Sequence, residues 1–307
     1  MTRLEARPPM QNGQHPRVLD GFSLEMTGRD RAGLDEAAAY LPPGTRVNIT
    51  YLAGETMQDR VGAARAVRRH GFTPVPHVAA RRMRSPAELG EFLAALGEAD
   101  ALDEIFVVGG DPTTPAGPFA DGLSVLRSGI LQETGVRRVS VPGYPEGHPH
   151  IAVDALSEAL HAKVAVLTEQ ELAPAVITQF GFDVQPVLGW IRALRRQGIE
   201  AQIRVGVPGP VGVKRLLAYA RRFGVATSAG ITRKYGFSLA NLLGTAGPDA
   251  FVSALADGLD PAVHGDVRTH FYTFGAITAT SAWVRDFVVA PRIRHDGEGV
   301  PGENRST

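Results

Sequence analysis

From about residue 22 to residue 275, short apolar runs alternate with longer stretches in which apolar positions recur every three or four residues. The short runs are rich in Val, Ile, Thr and aromatic residues, as strands buried on both faces should be. They predict strands over Phe22–Met26, Arg46–Leu52, Thr73–Ala79, Glu104–Gly110, Arg138–Gly143, Ala175–Phe182, Ala201–Val207 and Thr269–Phe274. Between them the helical period predicts helices over Gln58–His70, Pro86–Leu96, Val187–Arg196 and Lys214–Phe223. Two starts carry capping residues. Ser85 precedes Pro86 with Glu88 three residues on, and Asp183 precedes the helix after the sixth strand.

Eight strands alternating with helices fit a single-domain α/β fold, the (β/α)8 TIM barrel of roughly 250 residues. A doubly wound open sheet is the competing layout; the count of eight and the lack of a linker favour the barrel. The expected domain runs over 17–293, with polar flexible segments at 1–16 and 294–307. In such a barrel chemistry sits where the strands end at their C-termini. The unusual polar residues fall there: Glu25, Thr50 with Tyr51, His77, Asp111, Tyr144 to His148, Thr178 with Gln179, and Tyr272.

Composition narrows the chemistry. In 307 residues, 32 Lys and Arg balance 32 Asp and Glu, so neither a nucleic-acid surface nor an anionic-membrane surface is indicated. No cysteine is present, which excludes disulfides, thiolate metal sites and cysteine nucleophiles. No signal-peptide run opens the chain and no run of 18 apolar residues suggests a membrane span, so a cytoplasmic enzyme is expected. His148-Pro149-His150 makes a poor chelate, and no metal is expected there. His77 alone reads more readily as a structural histidine than as a catalyst. Arg81-Arg82 and Arg195-Arg196 read as solvated faces. No Gly-x-Gly-x-x-Gly, Walker lysine loop or Gly-x-Ser-x-Gly elbow occurs. The segment Val107–Gly117 is a glycine-rich loop of another kind, either a tight turn or a surface that a flat ligand can approach.

Several segments, in order, resemble the methylenetetrahydrofolate reductase family. They are Ser23-Leu-Glu25, Asn48-Ile-Thr-Tyr51 with Pro76-His77, Gly110-Asp111-Pro112, Tyr144-Pro-Glu-Gly-His-Pro149, Ile177-Thr-Gln-Phe-Gly-Phe-Asp183 and His270-Phe-Tyr-Thr273. The Tyr-Pro-Glu-x-His-Pro and Thr-Gln-Phe-x-Phe-Asp pair is the specific part. The resemblance implies a barrel that binds FAD at its strand C-termini. Hydride would pass from NAD(P)H to 5,10-methylenetetrahydrofolate, giving 5-methyltetrahydrofolate, or in reverse. Glu25 matches the general acid, whose raised pKa suits protonation of a departing nitrogen. Asp111 matches the acid beside the flavin, and is the second catalytic candidate. Thr50, His77, Gly110, Tyr144, His148 and Lys163 match flavin-contacting positions. Gln179, Tyr272 and Phe274 fall at the substrate side.

The chain also departs from that family. Gly109 stands where the family has arginine, and the Asn-x-x-Arg-Lys group is reduced to His161 and Lys163. Val213 falls near the family's substrate-sandwiching aromatic, and Phe274-Gly-Ala276 lacks its arginine. Losing cations from a diphosphate site weakens charge-assisted binding. Two other outcomes stay open: non-redox one-carbon transfer from a reduced pterin, and a folate- or flavin-binding subunit without catalysis. A homo-oligomer is compatible with all three.

Overall fold

The computed structural model describes residues 17–212, 215, 216, 218 and 245–289. The predicted Lys214–Phe223 helix lies largely outside the described residues. Val213, residues 1–16 and residues 294–307 lie outside them entirely.

Eight parallel strands close into a barrel. They are β1 (Ser23–Met26), β2 (Arg46–Ile49), β3 (Thr73–Ala79), β4 (Glu104–Val108), β5 (Arg138–Gly143), β6 (Ala173–Phe180) and β7 (Gln202–Pro208). A short antiparallel pair, β8 (Val211–Gly212) and β9 (Thr245–Ala246), precedes the last barrel strand β10 (Val267–Tyr272). β10 pairs with both β7 and β1, which seals the circuit. Every predicted strand is present, with ends shifted by up to three residues. The largest shift is at β2, which stops at Ile49 rather than Leu52, while β6 and β10 each run two residues earlier than expected.

The helices among the described residues are α1 (Arg31–Ala37), α2 (Met57–Arg69), α3 (Pro86–Glu98), α4 (Gly122–Leu126), α5 (Val153–Glu169) and α6 (Val184–Arg196), then α7 (Asp249–Gly258), α8 (Pro261–His264) and α9 (Ile277–Val289). Asp183 caps α6 by accepting from Gln185 N–H at 3.1 Å. Ser85 caps α3 through Glu88 N–H. The expected reciprocal bond from Glu88 is not made to Ser85. Glu88 instead accepts from Arg84 N–H and pairs with the Arg84 guanidinium at 2.9 Å, because Arg84 offers a charged partner within reach. α2 carries the full reciprocal cap, between Thr56 and Asp59.

Helix stripes bury Leu89, Phe92, Leu93 and Leu96 of α3, and Val187, Leu188, Ile191 and Leu194 of α6, against the outward faces of the strands. The barrel interior is different. Among the described residues, Val75, Phe106 and Ile177 form a small buried apolar cluster there, with Val108 packed on it. Much of the remaining interior is polar. Near the strand N-termini Arg46 makes a bidentate pair with Glu104 (2.8 Å), and Arg204 donates to Gly21 C=O. Burial first, then Arg46, pushes the Arg204 guanidinium down to about 10. Arg268 and Thr269 likewise donate to the carbonyls of Arg17 and Val18, tying the entering chain beneath the barrel. The Arg195-Arg196 reading needs one correction. Arg196 is exposed, but Arg195 donates to His264 C=O and to Ile199 C=O, joining α6 to its neighbours.

Candidate active site

The C-terminal ends of the strands bring most of the predicted residues to one mouth. Glu25, partly buried, lies next to Asn48 on β2 by register. One step along the β1–β10 register from Leu24 and Phe271 it meets Tyr272. No described residue makes a hydrogen bond to its carboxyl. Burial, followed by the field of Asp30, pushes that carboxyl from 4.5 up to about 8. Desolvation penalises the charged form, so the group is a neutral acid at pH 7. Asp30 is held on the loop after β1 by Thr27 N–H and Thr27 Oγ1–H, each at 2.9 Å.

Tyr272 sits across from it. Its hydroxyl donates to Thr178 C=O at 3.0 Å, and burial, then Glu25, then Tyr144, holds it well above its ordinary range. The reach from β10 over β7 to β6 depends on Gly206. A Cβ there would lie 2.4 Å from Thr178 O. β6 is irregular between Ile177 and Phe180, and Thr178 Oγ1 accepts from Gly206 N–H at 2.8 Å. Such a bulge re-aims a side chain. Here it turns Gln179, whose Oε1 accepts from Phe180 N–H at 3.1 Å, leaving its amide N–H groups as donors. Phe180, Tyr272 and Phe274 pack as an aromatic wall with centroids 5.3 Å apart for Phe180–Tyr272 and Phe180–Phe274. Phe274 adopts φ of 51° to join it, an unusual backbone state for a bulky residue.

On the opposite side, His77 is buried edge-on against Phe106 and 3.4 Å from the Asn48 amide. Burial, then Arg60, pushes it down to about 3, so its ring is a neutral acceptor. Thr50 follows β2 and is partly buried. Tyr144 and His148 meet edge-on at 5.3 Å, and His148 Nδ1 accepts from His150 N–H at 3.2 Å. Burial raises the Tyr144 phenol, while burial and His150 lower His148. Gly110 has φ of 90°, a conformation glycine suits, and turns the chain out of β4.

Asp111 stands apart. It is exposed and pairs with Arg82 at 2.6 Å. The solvated reading of Arg81-Arg82 is therefore corrected. Arg81 donates to Ala120 C=O and Pro112 C=O, and Arg82 binds Asp111 while lying 4.8 Å over the Tyr51 ring. The pair organises the glycine-rich loop, because two guanidinium groups bind its carbonyls and a carboxylate.

Lys163, on α5, is partly buried, with its Cε 3.7 Å from where a Cβ on Gly122 would lie. Burial lowers its ammonium against the opposing pull of Asp121.

No family model matches the chain. A solved structure of similar fold is an uncharacterised protein from Clostridium thermocellum that binds two copies of 5-methyl-5,6,7,8-tetrahydrofolic acid. It is 11% identical with a TM-score of 0.60, over 89% of this chain and 96% of that one. A conserved protein of unknown function from Enterococcus faecalis aligns at 9% identity and a TM-score of 0.47, over 87% of this chain and 65% of that one. At 11% identity the likeness to the Clostridium thermocellum protein is one of fold.

Two members of the site were not singled out from the sequence. Ser23 and His270 lie two positions before Glu25 and Tyr272, so strand alternation places them on the same inward face. That period was the available signal. No described helix is long and apolar enough to cross a membrane.

Proposed function

We propose that the mouth binds a reduced folate and interconverts 5,10-methylene- and 5-methyltetrahydrofolate, with NAD(P)H as the hydride source. The observation that carries this is the Glu25 carboxyl, neutral at pH 7 and without a hydrogen-bond partner among the described residues, beside a wall of aromatic rings and amide donors. The folate bound by the Clostridium thermocellum protein of similar fold supports the substrate class.

The steps follow from what each side chain can offer. In the reductive direction the C–N10 bond of the methylene bridge breaks, and N10 takes the Glu25 proton. The carbon left on N5 accepts hydride and becomes the methyl group. In reverse, ionised Glu25 takes the proton from N10. Gln179 offers amide N–H donors to the pterin, and Tyr272, whose proton is spent on Thr178, offers only oxygen lone pairs. The Phe180–Phe274 wall excludes water from the reacting carbon.

FAD as relay is a further part of the proposal that the residues support unevenly. Thr50, His77, Tyr144 and His148 suit a flat ring. Among the described residues matched to that arm, Lys163 has a desolvated ammonium, and the nearby Arg81 and Arg82 are committed to the loop. The described residues do not fit that arm, and none of the steps above uses it.

The test is a visible spectrum of the purified protein during anaerobic addition of 5-methyltetrahydrofolate with NAD(P)+. Growth of NAD(P)H absorbance at 340 nm is the expected result, and a flavin band that bleaches would add FAD. Folate binding with no nicotinamide dependence would overturn the redox reading in favour of one-carbon transfer.

A further inference from the structure

Glu25 and Tyr272 each follow a second polar residue on the same face of their strand, Ser23 and His270. Ser23 Oγ and His270 Nδ1 lie 2.8 Å apart across the β1–β10 seam, and the residues are 0% and 1% exposed. The His270 ring then meets Tyr272 edge-on, with centroids 5.0 Å apart. Apolar side chains would fill this volume without the penalty of burying a hydroxyl and an imidazole. The polar pair therefore needs a reason other than packing.

The reason lies in what the seam carries. β1 and β10 are the first and last strands of the barrel, and they present the acid and the phenol to the same substrate. Accepting the folate reading above, we infer that His270 is a positioning residue for the Glu25–Tyr272 pair. Its bond to Ser23 fixes the register of the seam, and its ring edge fixes the Tyr272 ring, so the acid keeps its place and its dry surroundings.

Among the described residues, few charged or titratable groups surround this cluster. Asp30 faces Glu25 from the loop after β1, Tyr144 and Glu25 face Tyr272, and His77 and Arg204 face His270 from β3 and β7. Burial, with those two neighbours, keeps His270 well below its ordinary range. The ring stays neutral through the working pH, so the alkaline limb of the reductive rate belongs to Glu25.

The experiment compares His270→Phe, which keeps a ring but removes the bond, with Ser23→Ala, which removes the same bond with little change in volume. Rates are measured against pH, and the Glu25 carboxyl is titrated by infrared difference spectroscopy with Glu25→Gln as the blank. Each variant should lower kcat by about tenfold or more while KM for folate stays within about twofold. The alkaline limb and the infrared titration should both move to lower pH by about one unit, as water reaches the carboxyl. The double variant should be no worse than the worse single one, because both remove one interaction. An unmoved titration in Ser23→Ala, or additive losses, would overturn the inference. If His270→Phe fails to fold, Ser23→Ala decides alone. A wild-type protein without folate turnover would sink the folate reading, while the infrared titration would still decide the positioning role.

Discussion

A carboxyl that stays neutral at pH 7 must be held so by its surroundings, and Glu25 is held by burial and by Asp30. That tuning has a cost to the fold with a definite sign. The folded value of about 8 exceeds the ordinary 4.5, so the folded state binds the proton more tightly. The stabilisation linked to that proton is full below about pH 4.5 and is lost as pH rises to about 8, on the order of a few kcal/mol. Glu25→Gln cannot ionise. Thermal melts should show the variant gaining on the wild type between pH 5 and pH 8.5. Its reductive turnover should fall by about 10²- to 10⁴-fold with folate binding retained. In the wild type the reductive rate should decline as pH passes about 8, since only the protonated acid can donate. A rate unchanged by Glu25→Gln would remove Glu25 from the mechanism.

The strands and their order were legible because buried β-branched runs separated by helical periods have one economical closure. Asp183 as the cap of α6 was legible too, since its side chain needs only a neighbour two residues away. The state of Asp111 was not, because its partner Arg82 lies 29 residues earlier and comes together with it only through the barrel. The irregularity in β6 was equally hidden. It is written into Gly206 on the next strand, whose missing side chain lets Thr178 and Tyr272 meet. Gly206→Ala should therefore cost more than about 2 kcal/mol in urea unfolding, because the atoms in its way are backbone and cannot swing aside. It should also weaken folate binding by displacing Gln179. Unchanged folate affinity would show that the bulge does not serve the site.

Taken together, the protein has an outer shell of helices packed on apolar strand faces and an interior that is largely polar. Barrel interiors are usually filled by branched apolar residues. Here much of that volume is given to groups that hydrogen-bond across strands, such as Asn48 with His77, and Ser23 with His270. A ligand at the mouth would add contacts to β1, β2, β3, β6 and β10 at once. At about 100 times its dissociation constant, 5-methyltetrahydrofolate should add about 2.7 kcal/mol and raise the melting temperature by about 5–10 °C. No shift in differential scanning fluorimetry at saturating folate would argue against the mouth as a folate site.

The Ser23–His270 bond also joins residues 247 apart in the chain, which turns a feature of space into one of time. During synthesis β1 emerges early and has no seam partner until β10 has followed it. Until then one edge of the growing sheet lies open, and pairing over such a separation carries a loop-closure cost that slows folding and leaves strand edges available to other chains. The last strand to arrive thus completes both the fold and the acid–phenol pair. A nascent chain short of β10 has neither, so the proposed site is assembled only once the sheet edges at the seam are closed.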